Sequence, residues 1–395
     1  MAKNGKVRIA VIGIGNMGSS HVYDSAHLDE TELVAVCDID HARADQAAAQ
    51  YQVKAFYDYR DLLSGAELDA VIIATPHYDH TPISIDCLKR GIHVLVEKPL
   101  AVHVNDGNRM IAAYEEARQR YPSLVFAIMF QQRTQGFWRK VKQLIEQGEL
   151  GRLARATWII TDWFRTQFYY DHGGWRATWK GEGGGVLLNQ CPHNLDLYQW
   201  FFGMPKRITG FASIGKYHHI EVEDEVTAFF EHENGMVGHF ITTTAESPGT
   251  NRLEIAGELG KLVFEDGRLS FSRNRSSMFE FIKTSSAAFD RVDFQTEDIP
   301  YEGQEQPGHT QVIATFARAI LKGEPLIVNA VEGINSLAIG NGIMLSHFLG
   351  RPVELPLDGD RYEAILQDLI QKSTFHKEAR EGTFGDLSKS FGIYR

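Results

Sequence analysis

At 395 residues and 43% hydrophobic content, the chain can fill more than one core, so two domains sharing an interface are expected. The net charge of −11 and the lack of a basic stripe argue against a nucleic-acid or anionic-membrane partner, since phosphate neutralisation needs clustered Lys and Arg. Cys37, Cys87 and Cys191 lack any spacing suited to zinc or a redox pair and lie among apolar neighbours. A reducing, cytoplasmic setting is expected, with no signal peptide and no membrane span.

The first part of the chain alternates strand and helix. An apolar strand, Val7 to Ile12, runs into Gly13-Ile14-Gly15-Asn16-Met17-Gly18 and a helix over Met17 to Ala26. Gly13 suits the tight turn, Gly15 lets backbone N–H groups approach a pyrophosphate, and Gly18 lets the helix pack on the sheet. The pyrophosphate then lies at a helix N-terminus, where unpaired amides and the dipole favour negative charge. The next strand, Leu33 to Cys37, ends at Asp38, twenty residues after Gly18, where a carboxylate can accept the adenosine ribose hydroxyls. Asp38 and Asp40 would repel a 2′-phosphate, so NAD is expected rather than NADP, with Arg43 the only close cation.

Further along, helices are expected over Ala42–Tyr51, Tyr59–Leu63, Pro82–Arg90 and Asn105–Arg120. Strands are expected at Ala55–Phe56, Ala70–Ala74, His93–Val96 and Val125–Met129. Such apolar strands between helices read as a doubly wound parallel sheet, an N-terminal Rossmann domain over residues 1–130. From residue 131 to 395 the pattern is different. After a helix over Phe137–Gln147, strands follow one another with Asn234-Gly235 and Asp266-Gly267 turns, giving an open, mainly antiparallel sheet of about six strands. The loop and helix between Trp175 and Gly203 interrupt it, and helices return at Thr310–Leu321 and Gly333–Phe348. Asn274–Pro307 reads as a surface excursion and Glu221–Glu225 as a solvated strand entry. No metal site is expected from the nearby His218 and His219. Helices can cover one face of such a sheet only, so a homodimer or homotetramer is expected.

Chemistry concentrates at a few places. Glu97-Lys98-Pro99 follows a parallel strand at the carboxyl edge, where ligands bind in this architecture, and Lys98 can hold negative charge on a substrate oxygen. Thr75-Pro76-His77, with His80 beyond, ends the preceding strand and is expected to face the nicotinamide half. After Gly183-Gly184-Gly185, Asn189 and His193 share a face if the helix is regular, whereas Pro192 allows a turn between them. His193 is an acid–base candidate because its unperturbed pKa lies near neutrality. A cluster of Trp163, Arg165, Phe168, Tyr169, Tyr170, Trp175, Arg176 and Trp179 offers aromatic faces for sugar rings and cations for a phosphate or hydroxyl.

Together these segments, with His193-Asn194-Leu195-Asp196 and the helix around Leu337–Phe348, resemble the Gfo/Idh/MocA oxidoreductases over nearly the whole chain. The resemblance implies an α/β C-terminal domain that mediates oligomerisation and NAD(P)-dependent redox chemistry on a sugar, cyclitol or derivative. It implies Lys98 and His193 as the catalytic pair. Asn189, Tyr169, Arg176 and Trp175 are expected to bind the substrate. Gly13, Ile14, Gly15, Asn16, Met17, Asp38, Thr75, His77, His80, Glu97, Lys98 and Gln131 are expected to bind NAD. The family often has aspartate four residues before the motif histidine; here it is Asn189, which can only donate and accept hydrogen bonds. Three functions compete: a simple dehydrogenase, a glycosidase that passes through a transient ketone, and a nucleotide-sensing protein without turnover.

Overall fold

The structure is a computed structural model that describes residues 5–303, 308–378, 380 and 382. Its first half runs β1 (Val7–Ile12), α1 (Asn16–His27), β2 (Thr31–Cys37), α2 (His41–Tyr51), β3 (Lys54–Phe56) and α3 (Tyr59–Gly65). It continues through β4 (Ala70–Ile73), α4 (His77–Lys89), β5 (His93–Val96), α5 (Val104–Arg120) and β6 (Phe126–Ile128). These strands form a six-stranded parallel sheet in the order β3-β2-β1-β4-β5-β6. Residues on both faces are apolar because helices cover both; Val7, Ile9, Ala10 and Val11 are all buried. The register aligns the strand ends. Ile12 pairs with both Cys37 and Ile73, Ile73 with Val96, and Val96 with Ile128. The residues that follow each strand therefore stand in one row along the carboxyl edge, at the switch point where such sheets bind ligands.

α4 starts at His77, five residues earlier than the proline at position 82 suggests. Pro82 lies inside this helix, where it can make no hydrogen bond to the carbonyl four residues back. The shift brings His77 to the helix N-terminus, next to the row of strand ends.

The second half contains α6 (Gly136–Glu146), β7 (Leu153–Ile160), α7 (Gln167–Asp171), α8 (Val186–Asn189), α9 (Pro192–Phe202), β8 (Arg207–Ile214), β9 (Glu223–Glu231) and β10 (Val237–Thr243). Then come β11 (Asn251–Gly257), β12 (Gly260–Glu265), β13 (Arg268–Asn274), α10 (Met278–Thr284), β14 (Phe294–Asp298), α11 (Gly308–Lys322), α12 (Gly333–Leu349), β15 (Val353–Glu354) and α13 (Gly359–Lys372). The sheet has nine strands, ordered β14-β13-β12-β11-β7-β10-β9-β8-β15, and only β7 and β10 pair in parallel. Two edge strands escape the sequence pattern: β14 is exposed throughout and so shows no alternation, while β15 is two residues long. The expected excursion over Asn274–Pro307 thus contains α10 and β14. α13 was likewise not expected; among its side-chain-bearing residues only Tyr362 and Leu366 are buried.

The inner face of this sheet packs Trp158, Phe230, Phe240, Phe264 and Phe271 into the core, with α9 and α12 behind. Its outer face presents Ile159, Ile241 and Phe229, together with an Arg155–Glu254 ion pair and Phe211, which is 65% exposed. α11 returns to the first sheet, where Val312, Ile313, Phe316 and Ala317 cluster with Val7, Ile9 and Val11. A boundary at residue 130 follows chain order, whereas the core of the first sheet draws on residues 308–322. No helix among the described residues is long and apolar enough to cross a membrane.

Candidate active site

The strand-end row and the second domain enclose a cavity of about 740 Å³, within the range of cofactor and small-ligand sites. At one end lies the glycine turn. Gly13 has φ +85°, and a Cβ there would stand 2.8 Å from the Ala74 carbonyl group. A Cβ on Gly18 would lie 1.8 Å from the Gly13 oxygen, so the helix can approach the turn only with glycine at that position. Gly15 lines the cavity with open space where a Cβ would be, a cradle suited to a pyrophosphate. Asp38 accepts the Ile14 N–H at 2.7 Å and the Asp40 N–H at 2.9 Å, which ties the turn to the end of β2. Arg43 pairs with Asp38 and Asp40, each at 3.2 Å. Asn16, Met17, Asp38 and Arg43 all line the cavity, and the residues present fit a dinucleotide.

Near the middle, Glu97 bonds His21 Nε2 at 2.8 Å and accepts the Lys98 N–H at 3.0 Å. Burial pushes the Glu97 carboxyl up, but the His21 hydrogen bond and charge, with Lys98 behind them, prevail and hold it at about 2. The peptide bond between Lys98 and Pro99 is cis. Lys98 Nζ donates to the Asn189 carbonyl at 2.7 Å, which links the two domains. Burial lowers the Lys98 ammonium pKa, while Glu97 works in the opposite sense.

His193 belongs to the first turn of α9. The chain is not regular helix from Asn189 to His193: α8 ends at Asn189 and α9 begins at Pro192, the turn that proline allows. His193 Nε2 lies 3.3 Å from Gln131 Nε2, its Nδ1 has no partner among the described residues, and its ring meets Phe130 edge-on. Burial, followed by the nearby Lys98 charge, holds its pKa well below the usual histidine range. The neutral imidazole can accept a proton, and the half-buried ammonium can donate one or hold negative charge.

Asn189 turns its side chain away from His193. Its Nδ2 donates to Glu182 Oε1 and its Oδ1 accepts from the Tyr169 hydroxyl at 3.1 Å. Arg165 and Arg176 flank Tyr169, their guanidinium carbons 5.1 and 4.8 Å from the ring centre, and Arg176 also covers Trp175 at 4.3 Å. The aromatic cluster divides into two groups. Trp163, Tyr169 and Trp175 line the cavity, whereas Tyr170 and Trp179 are buried and do not. Lys377 caps the Arg176 carbonyl at 3.1 Å, and Arg380 N–H donates to Asp171 at 3.1 Å, so the chain's last described residues strap this loop.

Of the expected site residues, all but Ile14 and His80 line the cavity. Ile14 contributes its N–H to Asp38 from beneath the turn. His80 bridges the Pro99 and Thr75 carbonyls at 2.8 and 3.0 Å, holding two strand-end loops together. His77 Nδ1 meets the Glu182 carbonyl at 3.1 Å and its ring meets Trp175 edge-on. Sequence reasoning missed His21, Glu182, Gln190 and His309, whose positions depend on contacts between distant segments. It also misread Glu221–Glu225. Glu223 is buried, accepts the Gly185 and Leu187 N–H groups at 2.8 and 3.1 Å, and is pushed up to about 7 by burial. Asp224 is buried as well and clamps the turn over Lys216–His218.

A Rossmann sheet, a dinucleotide cradle and a lysine–histidine pair over a second α/β domain define a nicotinamide-dependent oxidoreductase. Residues 7–123 match the model described as an oxidoreductase family, NAD-binding Rossmann fold, and residues 138–263 match the GFO/IDH/MocA C-terminal domain. The chain belongs to the Gfo/Idh/MocA family, and its cofactor is NAD. Among solved structures it is similar to the WlbA dehydrogenase from Bordetella pertussis in complex with NADH and UDP-GlcNAcA. The two are 28% identical with a TM-score of 0.74, over 89% of this chain and all of that one. It is 27% identical to an uncharacterized oxidoreductase of Synechocystis sp., over 68% of this chain and 74% of that protein. An alpha-N-acetylgalactosaminidase of Shewanella oneidensis is 32% identical over 46% of this chain and 41% of its own length.

Proposed function

We propose that the protein is a dehydrogenase that oxidises a hydroxyl of a sugar, a sugar derivative or a cyclitol. One observation carries this reading. In the cavity that Lys98 and His193 line, five buried polar atoms have no hydrogen-bond partner among the described residues: Thr75 Oγ1, Gln131 Oε1, Trp163 Nε1, Gln190 Oε1 and His193 Nδ1. The set combines an indole donor, amide acceptors and a hydroxyl and an imidazole nitrogen that can serve as either, which suits a ligand bearing many hydroxyls. Bound NAD supplies the hydride acceptor. His193 takes the proton of the reacting hydroxyl, and Lys98 donates to the same oxygen and holds its negative charge. The likeness to a dehydrogenase solved with UDP-GlcNAcA adds nucleotide-linked uronates to the candidate substrates.

A glycosidase that oxidises, eliminates, hydrates and re-reduces is the second reading, supported by the similarity to an alpha-N-acetylgalactosaminidase. Purified protein incubated with NAD and a panel of free sugars, cyclitols, uronates and aryl glycosides separates the two. We expect one NADH per substrate consumed, a ketone product by mass spectrometry and an intact glycosidic bond. Repeated aglycone release with substoichiometric NAD would establish the second reading instead. NADH binding without turnover across the panel would favour a nucleotide sensor.

We further propose that the outer face of the nine-stranded sheet joins copies of the chain. Ile159, Ile241, Phe229 and Phe211 lie on that face, which no helix among the described residues covers. Light scattering at micromolar concentration is expected to give a dimer or tetramer mass; a monomer mass would refute it.

A further inference from the structure

We propose that Glu182 is a positioning residue that acts through Asn189 to set which way the Tyr169 hydroxyl donates. Glu182 is 1% exposed and lies outside the cavity lining, so it reaches a ligand only through its neighbours. Its Oε2 accepts the Ala177 backbone N–H at 2.7 Å, and its Oε1 accepts Asn189 Nδ2. A backbone N–H can only donate, so one carboxylate oxygen is committed. The other then faces Asn189 as an acceptor, because an ionised carboxylate has no proton to give. Burial raises the Glu182 pKa, while Arg176 and the two N–H donors work to keep the group ionised.

This fixes the orientation of the Asn189 amide. With Nδ2 turned to Glu182, Oδ1 faces Tyr169 and accepts its proton at 3.1 Å, while Gln190 Nε2 donates to the same phenol oxygen at 3.0 Å. The Tyr169 proton is therefore spoken for, and any further bond this hydroxyl makes is one it accepts. The same Asn189 holds Lys98 Nζ with its main-chain carbonyl at 2.7 Å, so one residue orients both side chains. If the carbohydrate reading holds, and for this consequence alone, Tyr169 selects a ligand that presents a hydroxyl donor to it.

The test needs no substrate. In NADH-saturated protein labelled with [13Cζ]tyrosine, the Tyr169 resonance is assigned from its loss in Tyr169→Phe. In Glu182→Gln, the new amide offers one acceptor to two donors. The Ala177 N–H takes the oxygen, the Asn189 amide turns over, and the Tyr169 hydroxyl loses its acceptor, so its resonance moves. The double variant Glu182→Gln/Asn189→Asp exchanges carboxylate and amide and satisfies every partner again, so the resonance is expected to return. If Glu182→Gln does not fold, Asn189→Ala removes the acceptor directly, and the double variant still has to restore the wild-type position. A resonance unmoved by the single change, or not restored by the exchange, overturns the proposal. The dehydrogenase reading stands or falls separately, on NADH formation.

Discussion

Lys98→Ala is expected to lower turnover by roughly 10²–10⁴-fold and to leave NADH affinity within a few fold, since a positioned acid or base contributes about that much. Lys98 follows β5 at the carboxyl edge of the first sheet and lines the same cavity as His193, close enough for its charge to act on that imidazole. Its half-buried ammonium donates to a carbonyl of the second domain, so the substitution removes that donor and leaves the Asn189 oxygen to the ligand or water. Lys98→Arg keeps the charge but changes a compact ammonium into a planar fork, and it is expected to rescue little. Fluorescence titration with NADH alongside initial rates makes the split visible. Turnover unchanged in Lys98→Ala, or NADH affinity lost in step with it, would contradict the assignment.

His193→Gln is expected to give a loss of similar size, and it carries a second signature in acid stability. Burial and Lys98 hold the folded-state pKa of His193 well below 6.5, whereas the unfolded chain titrates near that value. Between the two, the unfolded state binds more protons, so stability rises with pH across the window and is lost as pH falls through it. His77 is shifted in the same direction, by burial and the neighbouring His80, and contributes to the same window. Melting temperature is expected to drop as the pH is lowered from 6.5, and to drop less steeply in His193→Gln than in wild type. Parallel curves for the two proteins would mean that His193 does not titrate as its surroundings require.

Local pattern carried the cofactor half of this molecule. The strand, glycine turn, helix and following acid of Val7 to Asp38 are adjacent in sequence, and each imposes its own backbone requirement, so they are legible without tertiary context. The same holds for the strand ends at Thr75 and Lys98, because parallel register puts them in one row. The substrate half was legible only as a set of residue types. Trp163 and Tyr170 share the same composition cluster, yet one faces the cavity and the other bonds Thr244 in the core at 2.8 Å. Only the path of the loop decides which. Glu182, His21 and Glu223 acquire their roles from partners seven, seventy-six and thirty-eight positions away, and no short window contains both members of the latter two pairs. Glu223 shows the cost of reading charge alone: an acidic run signals solvent until two backbone N–H groups are found waiting for one of its members.

The return of α11 to the first sheet bears on how the protein comes into being. Residues 5–130 contain the glycine turn and Asp38, but Val7, Ile9 and Val11 find part of their cover in Val312, Ile313 and Phe316. A fragment cut at residue 130 leaves that apolar face to water. A ribosome making this chain releases the cradle long before the helix that seals it, so the cofactor half waits through some two hundred residues of synthesis with its floor open. His309, at the start of that helix, lines the cavity beside His21, at a ring separation of 5.8 Å. The nascent cofactor site is thus completed by a helix that starts only at Gly308, and its assembly is coupled to that of the second domain.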